Sequence, residues 1–135
     1  MARILIIDDD PGIRNLLQDM LSMAGHQITL TENGTRGMRV YREKPFDLVF
    51  TDLIMPDKDG LEVIKEIRQL KPEAKIVGMS GGGARFAGTY LKLAHGLGAS
   101  RLLTKPFMHT ELMALIEELA PEEDLSSASL SPSLG

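Results

Sequence analysis

Apolar and polar stretches alternate along the chain as five strand-and-helix units. Ile4-Leu5-Ile6-Ile7 is a continuous aliphatic run, the pattern of a strand covered on both faces, and it stops at Asp8-Asp9-Asp10. Pro11 suits a first helical position with Asp10 as N-cap, and Ile13, Leu16, Leu17, Met20 and Leu21 recur at helical spacing as far as Gly25. His26 to Thr31 alternates like a strand, Asn33-Gly34 marks a turn, and a helix over 35–43 rests on Met38, Val40 and Tyr41. Leu48-Val49-Phe50-Thr51 predicts a buried central strand that ends at Asp52, before a loop containing Pro56 and Gly60. Leu61, Ile64, Ile67 and Leu70, with Val63 beside them, make an amphipathic helix closed by Lys71-Pro72. Lys75 to Met79 is the fourth strand and Ser80 to Gly83 the loop after it. A helix through Phe86, Tyr90, Leu91 and Ala94 then ends near Gly96 or Gly98. Arg101 to Thr104 is a short fifth strand, and Leu112, Met113, Leu115, Ile116 and Leu119 form the face of a last helix. Such alternation needs parallel strands joined by right-handed crossovers, so an α/β architecture with a helix-covered parallel sheet is expected over residues 1–120. From Pro121 the periodicity gives way to Glu, Asp, Ser and Pro, and 121–135 is expected to be a disordered tail.

Composition narrows the chemistry. With 135 residues there is room for one core of ordinary size. The absence of cysteine removes disulfides, thiolate zinc sites and cysteine nucleophiles together. A net charge of −4 argues against a nucleic-acid partner, whose binding rests on Lys and Arg neutralising phosphates. The four apolar residues after Met1-Ala2-Arg3 are too few for a signal peptide, and no apolar run reaches membrane-spanning length. A soluble, cytoplasmic protein without membrane contact is expected.

The candidate chemistry lies at the predicted strand ends: Asp8 and Asp9 after the first, Asp52 after the third, Ser80 after the fourth and Lys105 after the fifth. In an open parallel sheet these ends share one rim, where ligands gather. Carboxylates about 5 Å apart repel by roughly 3 kcal/mol per pair at an effective dielectric near 20, which a cation would relieve. Oxygen-only ligands without histidine point to Mg²⁺ or Mn²⁺, and Mg²⁺ favours sites completed by phosphate. A carboxylate can attack phosphorus, while Lys105 and Ser80 offer a charge and a hydroxyl to the phosphoryl oxygens.

In the motifs Ile-Leu-Ile-Ile-Asp8-Asp9, Thr-Asp52-Leu-Ile-Met-Pro-Asp-Lys-Asp-Gly60, Met-Ser80 and Leu-Leu-Thr-Lys105-Pro106-Phe107, the chain resembles a receiver domain of bacterial two-component response regulators over about residues 2–119. The resemblance implies a flavodoxin-like doubly wound sheet of order 2-1-3-4-5 with five helices. It implies a phosphorelay role: Asp52 as acceptor from a histidine kinase or phosphotransfer protein, and Mg²⁺ held by Asp9, Asp52 and the backbone carbonyl of Ile54, with Asp8 acting mainly through water. Ser80 and Lys105 would bind the phosphoryl group, and a cis bond before Pro106 would aim the lysine. The expected protein is a stand-alone receiver, monomer or weak dimer, that assists its own phosphorylation and dephosphorylation and serves as a binding switch for a downstream protein rather than as an enzyme.

Two departures stand out. Family members often carry Tyr or Phe three residues before the lysine, where this chain has Leu102, so coupling to the outer face would differ or use Tyr90 or Phe86. Three glycines, Gly81, Gly82 and Gly83, follow Ser80 in place of the common alanine, and a mobile loop is expected there. Asp57 and Asp59 are expected to stabilise the turn into Leu61, and His26, His95 and His109 to have no chemical role. Gly78-Met79-Ser80-Gly81-Gly82 also fits a hydrolase elbow, yet no Asp-then-His order follows it, since the only later Asp is Asp124. An EF-hand register through Asp57, Asp59, Gly60 and Glu66 would put Met55 at its first ligand position. The serious alternative is a degenerate receiver that binds a partner without phosphorylation.

Overall fold

The computed structural model describes residues 1–81 and 84–121, with the side chains of 84–87 outside that description. Gly82, Gly83, the side chain of Phe86 and the tail from 122 onward, all named above, therefore lie outside the described residues. The strands are β1 (Arg3–Ile7), β2 (Gln27–Thr31), β3 (Leu48–Asp52), β4 (Ile76–Ser80) and β5 (Arg101–Thr104). They alternate with helices α1 (Pro11–Met23), α2 (Gly34–Glu43), α3 (Gly60–Leu70), α4 (Ala84–Leu97) and α5 (His109–Leu119). All neighbouring strands run parallel in the order β2-β1-β3-β4-β5, the flavodoxin-like doubly wound sheet.

Alternation within each strand divides the interior in two. Ile4, Ile6, Leu48, Phe50, Val77 and Met79 point to the face covered by Leu17 and Leu21 of α1 and Leu112, Leu115 and Ile116 of α5. Leu5, Ile7, Val49 and Ile76 point to the other, covered by Met38 of α2, Val63, Ile64 and Ile67 of α3 and Ala94 of α4. β3 and β4 are buried along their whole lengths, which is why both read as unbroken runs rather than alternating ones.

Three helix starts are fixed by acceptor side chains. Asp10 Oδ1 accepts from Gly12 N–H at 2.8 Å, Asn33 Oδ1 from Arg36 N–H at 2.8 Å and Asp59 Oδ1 from Glu62 N–H at 3.1 Å. Asn33, expected only to mark a turn, is thus the cap of α2. That helix is regular although its apolar signal is thin, because its inner face is built from Gly34, Gly37 and Met38. Gly37 lies against the side chain of Ile7, so close approach to β1 replaces side-chain bulk. Lys75 falls outside β4, which begins at Ile76.

Gly60 shows how the loop after β3 folds back on its own strand. Its N–H donates to Leu53 O at 3.0 Å, and a Cβ there would collide with Asp52 O and lie 2.7 Å from Leu53 Cα. Gly60→Ala is therefore expected to lower stability by roughly 2–4 kcal/mol in urea unfolding. Gly88→Ala, on an exposed stretch of α4 with open space around it among the described residues, should raise stability by about 0.5–1 kcal/mol. Equal effects of the two changes would refute this account of the loop.

Candidate functional site

Strand register brings the acidic residues together. Ile7 pairs with Thr51 across β1 and β3, so Asp8 and Asp52, one residue further along each strand, emerge side by side. Asp8 N–H still donates to Thr31 O at 3.1 Å, and Leu53 N–H to Met79 O at 3.0 Å, so the ladder holds both residues to the rim. Asp52 and Ser80 are the terminal residues of their strands rather than the first residues beyond them. Lys105 N–H donates to Ser80 O at 2.8 Å, which carries the ladder one step past β5 and delivers the lysine to the same edge.

Carboxylate oxygens of Asp8, Asp9 and Asp52 lie within 4.8 Å of one another, the only such group able to hold a metal among the described residues. Asp8 is fully buried, Asp52 nearly so, and Asp9 exposed. Lys105 Nζ donates to Asp8 Oδ2 at 2.7 Å and stands 3.6 Å from Asp52 Oδ1. Asp8 Oδ1 accepts from Asp10 N–H at 2.9 Å, while Asp52 Oδ1 accepts from Leu53 N–H at 3.0 Å. Burial, reinforced by the Asp8 charge and by Asp9, outweighs the pull of Lys105 and pushes the Asp52 carboxyl up to about 6. A cation among these oxygens would reverse that balance. The set is all oxygen and open to solvent at Asp9, so the residues present fit a hard divalent ion.

The remaining positions fall into place around this cluster. Ser80 is buried, with its hydroxyl at a marginal 3.5 Å from the Gly81 carbonyl, its hydrogen bond among the described residues. The Lys105–Pro106 peptide bond is cis. Ile54 follows two residues after Asp52 with its side chain half exposed. Leu102 packs against the core face shared by α2, α3 and α4, as does the half-buried Tyr90, and Gly78 leaves room beside Leu102 and Leu53. Asp10 serves as a cap, and His26 Nδ1 accepts from Ala2 N–H at 3.0 Å.

Two contributions had no signal in the sequence. Arg14, on the first turn of α1, donates to Asp8 O at 2.8 Å and ties the helix to the acidic loop. Thr35 donates its hydroxyl to Asp57 Oδ2 at 2.6 Å and its N–H to the same oxygen at 3.2 Å. Asp57 therefore braces the β3–α3 loop against α2, whereas it was expected to stabilise the turn into Leu61, a task performed by Asp59. The Thr35 hydroxyl holds the Asp57 carboxyl down at about 2, so this carboxylate keeps its charge at all ordinary pH values. Thr35 could not have been found by spacing, because it acts through a tertiary approach, and Arg14 reaches across the start of its own helix to a backbone carbonyl, which no residue type marks.

A parallel α/β sheet with three carboxylates and a lysine on its carboxyl edge defines the chain as a doubly wound domain with an acidic site where such sheets bind ligands. The family model for the response regulator receiver domain matches residues 4–117, and the chain belongs to that family, a component of two-component signalling. It is 32% identical over 120 residues to the response regulator receiver protein CpdR of Brucella abortus, covering 88% of this chain and 97% of that protein. It is 36% identical over 116 residues to the DNA-binding transcriptional regulator NtrC of Azospirillum brasilense, of which it spans only 24%. The solved structure of the response regulator TrrA of Thermotoga maritima, in complex with Mg²⁺ and BeF, shares 34% identity and a TM-score of 0.78 over 88% of this chain and 99% of that one. No described helix is long and apolar enough to cross a membrane.

The raised Asp52 pKa sets a pH dependence. In the unfolded chain this carboxyl loses its proton near 3.8 and in the folded chain near 6, so across that window the folded state binds more protons and stability falls as pH rises. Asp52→Asn, neutral throughout, is expected to be more stable than wild type at pH 7.5 by roughly 2 kcal/mol after allowance for solvent screening. The gap should narrow at pH 4.5, as measured by urea unfolding in the presence of a chelator. A gap that does not change with pH would contradict the electrostatic origin.

Proposed function

We propose that the chain is a Mg²⁺-dependent phosphoacceptor in a two-component phosphorelay, with Asp52 as the acceptor and phosphorylation acting as a switch for binding a downstream protein. The observation that carries this reading is the convergence of Asp8, Asp9 and Asp52 within 4.8 Å, with Lys105 3.6 Å from Asp52 Oδ1. Asp8, Asp9, Asp52 and the Ile54 carbonyl would hold the ion, and Mn²⁺ satisfies the same donor chemistry. When bound, the ion supplies positive charge that lowers the Asp52 pKa and neutralises phosphoryl oxygens.

The chain's own residues then have distinct tasks. A carboxylate oxygen of Asp52 attacks the phosphorus of a phosphohistidine on a kinase or phosphotransfer protein. The phosphorus–nitrogen bond breaks, and the imidazole departs with the electron pair and takes a proton from solvent. The product is an acyl phosphate at Asp52. Lys105 exchanges part of its contact with Asp8 for a phosphoryl oxygen, and Ser80, weakly held at 3.5 Å, turns its hydroxyl toward the same group. That rotation draws on the backbone at Gly81 and shifts the surface formed by α4, β5 and α5. Because Leu102 offers no hydroxyl or ring, the shift is transmitted through aliphatic packing around it. The domain acts on its own phosphate and on no external substrate.

Incubation with a small phosphodonor and Mg²⁺ should add one phosphoryl group by intact mass. The gain should vanish with Asp52→Asn or with chelator. No gain in folded wild type would favour a scaffold that binds its partner without phosphorylation, for which the aliphatic Leu102 is the supporting observation.

A further inference from the structure

The segment between Asp52 and α3 carries the Ile54 carbonyl, and it is fastened at both ends by different means. At the near end, Leu53 N–H reaches Met79 O at 3.0 Å and Gly60 N–H reaches Leu53 O at 3.0 Å, which pins the segment to the sheet. At the far end it is held by a helix that contributes no ligand. Thr35 of α2 donates both hydroxyl and N–H to Asp57 Oδ2, at 2.6 and 3.2 Å. The Lys58 backbone packs against Gly34 so closely that a Cβ on that glycine would collide with the Lys58 carbonyl oxygen. Glu66 of α3 binds both Lys58 and Arg42 of α2, which closes the brace. Between the two anchors Met55 is buried and Ile54 is half exposed, so no deep packing of its own fixes Ile54.

We propose that Thr35 is a positioning residue for the metal site: its hydroxyl, through Asp57, sets the course of residues 54–56 and thereby aims the Ile54 carbonyl at the ion. This inference rests on the proposed Mg²⁺ site and adds a residue more than one contact removed from it. The 2.6 Å bond from a hydroxyl to a carboxylate is the strong member of the pair, and it acts on the residue that directly follows the 54–56 stretch. Thr35 is also a clean place to test, because it is exposed and uncharged. Changing it leaves the site's electrostatics untouched, whereas removing Asp57 would subtract a nearby negative charge.

The test compares wild type, Thr35→Val and Thr35→Ser by calorimetric titration with Mg²⁺, with thermal melting of each protein in chelator. Valine keeps the shape and the backbone N–H contact but loses the hydroxyl, and serine keeps the hydroxyl. Thr35→Val is expected to weaken Mg²⁺ binding by roughly three- to tenfold with a melting temperature close to wild type, and Thr35→Ser to restore affinity. Wild-type affinity in Thr35→Val, or a loss that serine does not recover, overturns the positioning role while leaving the metal site standing. A wild type that takes up no Mg²⁺ overturns both.

Discussion

The structure depends on how one lysine is shared between two buried carboxylates. Lys105 arrives from the far end of the chain and sits closer to Asp8, at 2.7 Å, than to Asp52, at 3.6 Å. Asp8 has no contact with solvent, so it needs a close cation and finds one. Asp52 is left with less compensation, and its carboxyl is pushed up to about 6. The edge is thus short of positive charge at Asp52. That deficit suits the cluster to a cation, which in the proposed function would in turn offset the charge of a phosphoryl group.

Supports around this edge are uneven. On the β3 side the loop is fastened to the sheet through Leu53 and Gly60, to α2 through Thr35 and Asp57, and to α3 through the Asp59 cap. On the β4 side, the Ser80 backbone carbonyl accepts from Lys105 N–H, while among the described residues its hydroxyl has a marginal contact with the next carbonyl. In the proposed function the braced half would hold the ion in fixed geometry, while the Ser80 hydroxyl would change rotamer when a phosphate appears.

In the proposed switch, a signal from the site would meet the helices packed on the sheet face that carries Leu102. There Gly78 lies beside Leu102 and Ala94, and the half-buried Tyr90 packs on the same core. Aliphatic packing is non-directional, so a displacement there spreads over several neighbours rather than swinging one ring between two pockets. In the proposed switch, such a core would move α4, β5 and α5 collectively.

The order of elements was legible in the sequence because strands buried on both faces leave unbroken apolar runs and their caps and glycines leave punctuation. Asp8, Asp9, Asp52, Ser80 and Lys105 were legible for a related reason: parallel strands put all their carboxyl ends on one edge, so position along the chain predicts position in space. α2 was the thinly marked element, since glycines rather than bulky side chains form its inner face and hydrophobic periodicity cannot register a missing side chain. What the sequence by itself determined was the list of groups on the rim. Tertiary structure alone decided which of them touch, because the sharing of Lys105 between Asp8 and Asp52 and the turning of Asp57 toward Thr35 each join segments brought together only by packing. A hydrogen bond or ion pair depends on tenths of an ångström between such segments, and no spacing along the chain encodes that distance.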